Sequence, residues 1–183
     1  MEELEMTLLE TEEKMDKAIL AFQRELSTVR TGRANASLLD SISIEYYGVM
    51  TPLKQISSIT TPEANQLYVK PFDKSSLKSI ERAILASPIG VTPQNDGNGI
   101  RLILPQMTED RRRELTKVVG KMEEQGKVAI RNVRRDANDE VKKLDLPEDD
   151  EKYALEEIQQ LTNKKIVKVE EIAAAKNKDI MSI

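Results

Sequence analysis

The chain has 183 residues, of which 39% are hydrophobic, 33% charged and 3% aromatic, with a formal net charge of −4. That length supports one domain or two small ones with modest cores. The lack of Cys and His removes disulfides, zinc knuckles, thiol nucleophiles and the commonest general base near neutral pH, and with them most enzyme classes.

The chain opens Met1-Glu2-Glu3-Leu4-Glu5, too acidic for a secretion signal or an organellar transit peptide. No apolar run approaches the roughly 20 residues that cross a membrane, so a soluble, cytoplasmic protein is expected. From Leu8 onward, Met15, Ile19, Phe22, Leu26 and Val29 recur at spacings of seven, four and three, which predicts an amphipathic helix.

The middle of the chain has a different period. Ser41 to Tyr47 alternates with period two, as do Leu53 to Ile59 in part, Leu67 to Val69 and Ile100 to Leu104, with Pro and Gly between them. Asp73 caps one short helix that buries Leu77, Ile80 and Ile84. Asn95-Asp96-Gly97-Asn98-Gly99 lacks the third Gly and the Lys-Ser/Thr of a phosphate loop and leads into a strand, so it reads as a hairpin turn. Tyr46 and Tyr47 point to opposite strand faces, one inward and one outward.

A second long helix starts near Thr108, its N-cap, with Leu115, Val118, Val119, Met122, Ala129, Val133, Ala137, Val141 and Leu144 as the apolar set. Pro147 ends it. The third helix follows Glu148-Asp149-Asp150 and turns Leu155, Ile158, Leu161, Ile166, Val169, Ile172 and Ala173 inward. Gly120 and Gly126 sit inside the second helix, where each costs about 1 kcal/mol relative to Ala; helix packing is the expected reason for both.

The small module leaves after the first helix and returns before the second, so those two helices are expected to be antiparallel neighbours. The tight turn at Asp145-Leu146-Pro147 brings the third back parallel to the first. The expected fold is α+β: residues 1–29 and 107–183 form a long three-helix bundle, and 30–106 form an inserted small β/α/β domain. Two connecting segments, Arg30-Thr31-Gly32-Arg33-Ala34 and Leu104-Pro105-Gln106-Met107, make a two-strand hinge.

Charge is segregated by segment. Residues 1–29 carry three basic and eight acidic side chains, 30–106 eight and six, 107–144 eleven and eight, and 145–183 six and ten. On a wheel advancing about 100° per residue, Arg113, Lys117, Lys121, Lys127, Arg131, Arg134, Arg135 and Lys142 centre opposite Leu115, Met122, Ala129 and Val133. Any bundle helix needs a polar face, but an ordinary surface mixes signs. A basic stripe with almost no interleaved aromatic suits the phosphates of structured RNA or duplex DNA better than single strands, which call for stacking platforms. The adjacent acids Glu12-Glu13, Asp149-Asp150 and Glu170-Glu171 diverge by about 100° on a helix; they read as solvated faces and helix-start charge, with no metal site or catalytic carboxylate pair.

Four blocks carry a resemblance: Arg30-Thr31-Gly32-Arg33-Ala34, Glu45-Tyr46-Tyr47-Gly48, Thr108-Glu109-Asp110-Arg111-Arg112, and Arg131-Asn132-Val133-Arg134-Arg135-Asp136-Ala137-Asn138. In order and spacing they resemble the ribosome recycling factor family along essentially the whole chain. The resemblance implies an L-shaped, non-enzymatic protein with no cofactor of its own, whose bundle lies on the large ribosomal subunit. After termination such a factor works with elongation factor G, a separate GTPase that uses the GTP, to split the ribosome. It places Arg112, Arg131 and Arg134 on ribosomal RNA; Arg113, Lys117, Lys121 and Arg135 join them from the wheel. The small domain is the part expected to meet elongation factor G, and a monomer is adequate for the task. The rival expectation is a helical protein-binding adaptor that uses the apolar or acidic faces and tolerates loss of Arg131 and Arg134.

Overall fold

The chain runs α1 (Glu2–Ser27), β1 (Ser43–Tyr46), β2 (Val49–Pro52), α2 (Leu53–Ile56), β3 (Ser57–Glu63), β4 (Gln66–Pro71), α3 (Leu77–Ala86), β5 (Pro93–Asn95), β6 (Ile100–Ile103), α4 (Glu109–Lys143) and α5 (Glu148–Met181). The structure is a computed structural model that describes residues 1–181; Ser182 and Ile183, at the end of the expected bundle segment, lie outside the described residues. Two compact units emerge: a helical one, Met1–Arg30 with Asp110–Met181, and a β-rich one, Thr31–Glu109.

In the helical unit, α1 buries Leu4, Thr11, Met15, Ile19, Phe22 and Leu26, close to the expected stripe, with Leu8 only half-buried. At 1.5 Å per residue the 35 residues of α4 span about 52 Å. Its end is set by Asp145 in the left-handed region at φ 49°, a C-terminal capping conformation. Pro147 then opens α5 by accepting from the Glu151 N–H at 2.9 Å, and Glu148, Asp149, Asp150 and Glu151 fill the first turn, where the helix dipole favours acids.

Direction follows from contacts. Leu4, near the start of α1, clusters with Ala154 and Ile158, near the start of α5, and with Ala137 and Val141, near the end of α4. Farther along, the space beside Gly126 is bounded by Phe22 and Val169. Helices α1 and α5 are therefore parallel and α4 is antiparallel to both, as the connections require.

Two inward faces differ from the sequence reading. On α5 the buried positions are Ala154, Ile158, Thr162, Lys165, Val169, Ala173 and Ile180, while Leu155, Leu161, Ile166 and Ile172 are half-buried flanks. Hydropathy centred the face on the largest apolar residues, but the close α1–α5 approach selects small ones and two polar ones. Thr162 and Thr11 enter the core because each hydroxyl donates to the carbonyl four residues back, Ile158 and Thr7, both at 2.7 Å. On α4 the core is Leu115, Val119, Gly126, Ile130, Ala137 and Val141; Val118 is exposed and Met122, Ala129 and Val133 are only half-buried.

Lys165 is the polar centre of the unit. Its Nζ donates to Asp16 Oδ1 at 2.6 Å and to Glu12 Oε1 at 3.4 Å, with 10% of its side chain exposed. Burial pulls the ammonium pKa down, but the hydrogen bonds and charges of Asp16 and Glu12 outweigh it, so the value stands above that of an ordinary lysine. Glu12 is thus an ion-pair partner instead of a solvated acid, and Glu170 likewise meets Lys127 at 3.0 Å.

The β-rich unit pairs β1 with β2 and orders its second sheet β3-β4-β6-β5, all antiparallel. Leu67 opposes Leu102 and Val69 opposes Ile100, and all four are buried with Leu77, Ile80 and Ile84 of α3 in one core. The Tyr47-Gly48 turn has φ of 49° and 80°, the positive values that a two-residue hairpin matched to strand twist demands. Tyr46 packs against the core and Tyr47 is exposed, the expected division.

Leu53 to Ile56 is a helical turn instead of strand: it starts after Pro52, and Leu53 and Ile56, three apart, both reach the core. Asp73 caps a 3-10 turn, Lys74–Ser76, by accepting from the Ser75 N–H at 3.0 Å, and the turn runs on into α3. At the β5–β6 hairpin Asp96 Oδ1 accepts from the Asn98 and Gly99 N–H groups at 2.9 and 2.8 Å, which hold its carboxyl below the usual carboxylate range. Gly99 is required there because a Cβ would stand 2.6 Å from the Tyr68 ring and 2.8 Å from the Val69 carbonyl oxygen.

The two α4 glycines separate. A Cβ on Gly126 would meet the Phe22 ring at 3.3 Å and Val169 at 3.5 Å, whereas one on Gly120 would meet nothing within 4 Å, so packing explains Gly126 only. Gly120→Ala should therefore stabilise the chain by about 0.5–1 kcal/mol, and Gly126→Ala should gain less because the Phe22 ring must shift; urea unfolding of both variants checks the order. Lys165→Ala should lower stability by about 1–3 kcal/mol, short of the figure for a fully buried pair because Glu12 and Asp16 stay half exposed. Because the Lys165 pKa is raised, this contribution is full below the unfolded lysine value of about 10.4 and is lost as pH rises through the folded value. The stability gap between wild type and Lys165→Met should accordingly close at strongly alkaline pH, read from urea midpoints.

Candidate nucleic-acid interface

The outward face of α4 carries the basic residues. Arg113, Lys117, Lys121, Arg131 and Arg135 are exposed, while Arg112 and Arg134 are half-buried at its flank. Several have protein partners. Arg131 Nη1 lies 3.1 Å from Glu124 Oε1, seven residues back along the same helix, and Arg135 Nε lies 3.6 Å from Asp136. Both pairs are largely exposed, so water screens them and a phosphate can compete for either arginine.

Lys127, which the wheel placed in the stripe, is not part of it. Its side chain is 17% exposed and bridges Glu123 at 3.4 Å to Glu170 of α5 at 3.0 Å. The hydrogen bond to Glu170 leads the effects that raise its pKa. Position 127 lies on the flank turned towards α5, a fact that needs the register between the two helices.

Arg134 is held differently. Its Nη1 donates to Gln159 Oε1 of α5 at 2.9 Å, and Gln159 Nε2 donates in turn to Asn163 Oδ1 at 2.9 Å. The Nε atoms of Arg112 and Arg134 are shielded and have no hydrogen-bond partner among the described residues. Sequence reasoning passed over Gln159 because an amide on a polar flank has no periodic signature; only the packing of α5 against α4 brings it to the stripe.

The expected hinge residues fall in the β-rich unit from Thr31 on. The Ala34 N–H donates to the Ala64 carbonyl at 2.7 Å and the Leu104 N–H to the Asn65 carbonyl at 2.8 Å, so one β3–β4 turn pins both connecting segments. Ala34 and Leu104 are members of the module's core. Gly32 is buried, Thr31 and Met107 are half-buried, and Arg30, Arg33, Pro105 and Gln106 are exposed.

Among the described residues no three acidic side chains gather as a metal site, and no helix is long and apolar enough to cross a membrane. A helical bundle built from two distant chain segments, with a β-rich module inserted between them and a basic face along one helix, defines a class of protein suited to a polyanionic surface. The family model described as ribosome recycling factor matches residues 22–181. A ribosome-recycling factor of Acholeplasma laidlawii (strain PG-8A) is 56% identical over 182 residues, covering 100% of this chain and 99% of that one. That of Bacillus subtilis (strain 168) is 52% identical over 180 residues, covering 96% and 97%. A solution structure of the ribosome recycling factor superposes with a TM-score of 0.79 at 40% identity, with both chains covered in full. A structure described as models for the T. thermophilus ribosome recycling factor and the E. coli elongation factor G bound to the E. coli post-termination complex matches with a TM-score of 0.65 at 40% identity, covering 97% and 98%. The chain belongs to the ribosome recycling factor family.

Arg112 and Arg134 are half-buried at the flank of the helix, and neither forms part of the bundle's apolar core. Arg112→Ala and Arg134→Ala should each change unfolding free energy by less than about 1 kcal/mol, with the native helical circular dichroism unchanged before the unfolding transition.

Proposed function

We propose that this chain binds the large ribosomal subunit after termination through the basic face of α4 and, with elongation factor G and GTP, separates the ribosome into subunits. The observation that carries this reading is the set Arg112, Arg113, Lys117, Lys121, Arg131, Arg134 and Arg135 on one helix. Membership of the family supports it, as do the models of a T. thermophilus relative and elongation factor G bound to a post-termination complex.

Arginine forks make bidentate bonds to phosphate, and several of them on one stiff rod fix its orientation on RNA. A load applied elsewhere on the protein is then delivered to the RNA as force and is not dissipated in bending. The small module is the part that meets elongation factor G. Its exposed Tyr47, Val49, Met50 and Phe72 are the kind of apolar side chains a protein partner covers. Residues 30–34 and 104–107 serve as the hinge. The GTP belongs to the partner GTPase; this chain performs no covalent chemistry, needs no cofactor and acts as a monomer in the cytoplasm.

The test is subunit separation followed by light scattering, with purified post-termination ribosomes, elongation factor G and GTP. Wild-type protein should split the ribosomes and a folded Arg131→Ala/Arg134→Ala variant should fail or slow by at least about tenfold, the loss expected for two charge-assisted phosphate contacts. Splitting by the variant at the wild-type rate would remove the RNA-gripping role, and an inert wild type would move the adaptor reading to the front.

A further inference from the structure

We propose that Gln159 of α5 is a positioning residue for RNA binding: it orients the Arg134 guanidinium towards a phosphate while leaving its charge unspent. The inference rests on the rRNA-facing role of α4 given above and adds a residue from a different helix to it.

Gln159 Oε1 takes one N–H of Arg134 at 2.9 Å. Which end of the amide faces the arginine is fixed, because a guanidinium only donates; Gln159 Nε2 is then left to donate to Asn163 Oδ1, one helical turn farther along α5, also at 2.9 Å. The chain Asn163–Gln159–Arg134 therefore has a single polarity and holds the guanidinium from one side. A guanidinium has five N–H donors in a rigid fork, so donors remain for a phosphate after Gln159 has taken one.

The chemical identity of the holder matters more than its presence. Arg131 is paired with Glu124 and Arg135 with Asp136. A phosphate must displace or share those carboxylates. Arg134 is held by a neutral amide, which orders the side chain without cancelling its field. Ordering in advance removes part of the immobilisation cost of an arginine on binding, worth about three- to tenfold in affinity. A glutamate at 159 would hold the same N–H at least as well and would act as a competing anion, so the amide is the functional choice and a carboxylate is the isosteric failure.

The experiment measures affinity of the full-length protein for purified large ribosomal subunits across a salt series, with wild type, Gln159→Glu, Gln159→Met, Arg134→Ala and the double variant Arg134→Ala/Gln159→Glu. Gln159→Glu should bind about three- to tenfold more weakly, flatten the slope of log affinity against log salt by about one phosphate contact, and melt at the wild-type temperature. Gln159→Met, which keeps the bulk and loses the acceptor, should weaken binding without changing the slope. In the Arg134→Ala background Gln159→Glu should add little further loss, because Gln159 acts through Arg134. Wild-type affinity in Gln159→Glu beside a weakened Arg134→Ala would overturn the positioning role, as would an equal loss from Gln159→Glu with and without Arg134, which would mark a general effect of added negative charge. Wild-type affinity in Arg134→Ala would instead overturn the underlying reading of the stripe.

Discussion

Helix α1 is held to the rest of its bundle across a separation of about 150 residues, and the seam it forms with α5 is the constraint on which the helical unit depends. Lys165 reaches Asp16 and Glu12 over sequence separations of 149 and 153. Ordering so long a loop costs little more than ordering one half its length, since closure entropy grows only logarithmically, but it must be met by contacts specific to this pair of helices. Small residues on α5, Ala154, Thr162 and Ala173, let the backbones approach. A buried lysine between two acids also penalises a slipped register, in which the ammonium would be buried unpaired.

That seam leaves α4 as the helix free to carry a charge pattern of its own. The acids concentrate on α1 and α5, and the bundle draws on them internally: Glu12 and Asp16 serve Lys165, and Glu170 serves Lys127. Lys127, on the α4 flank that meets α5, is therefore taken into an ion pair with Glu170, whereas the exposed Arg131 and Arg135 face outward. The same geometry that removes Lys127 from the stripe places Gln159 beside Arg134, so the division of α4's basic residues between internal ion pairs and the outward face is drawn by its neighbour.

The β-rich unit solves a different problem. Its chain enters and leaves at neighbouring points, and the β3–β4 turn receives both Ala34 and Leu104 as hydrogen-bond donors. One tight turn thus closes the module's core at the place where the covalent connections emerge. The close fit of Gly99 over Tyr68 and the hydrogen bond from Tyr68 to Asp96 at 3.0 Å tie the distal hairpin to the same sheet.

Periodicity and charge alone determined the long helices, the β-rich insertion between them, the hairpin at Asn95 to Gly99 and the concentration of basic residues on α4, because each of these is set by neighbours within a turn or two of the chain. The four short blocks from Arg30 to Asn138 carried the family resemblance for a similar reason: a motif is a local string. What required the tertiary structure was every choice made between helices. Hydropathy ranks Leu161 and Ile166 above Thr162 and Lys165, yet the close α1–α5 packing buries the latter pair. Gly120 and Gly126 look alike in sequence, and only the Phe22 ring tells them apart. Lys127 and Arg134 read as equal members of a stripe until Glu170 and Gln159 arrive from a helix whose register no local pattern fixes. Interhelical register is decided by side-chain volumes and hydrogen-bond partners far apart in the chain, and that information exists only once the helices are packed.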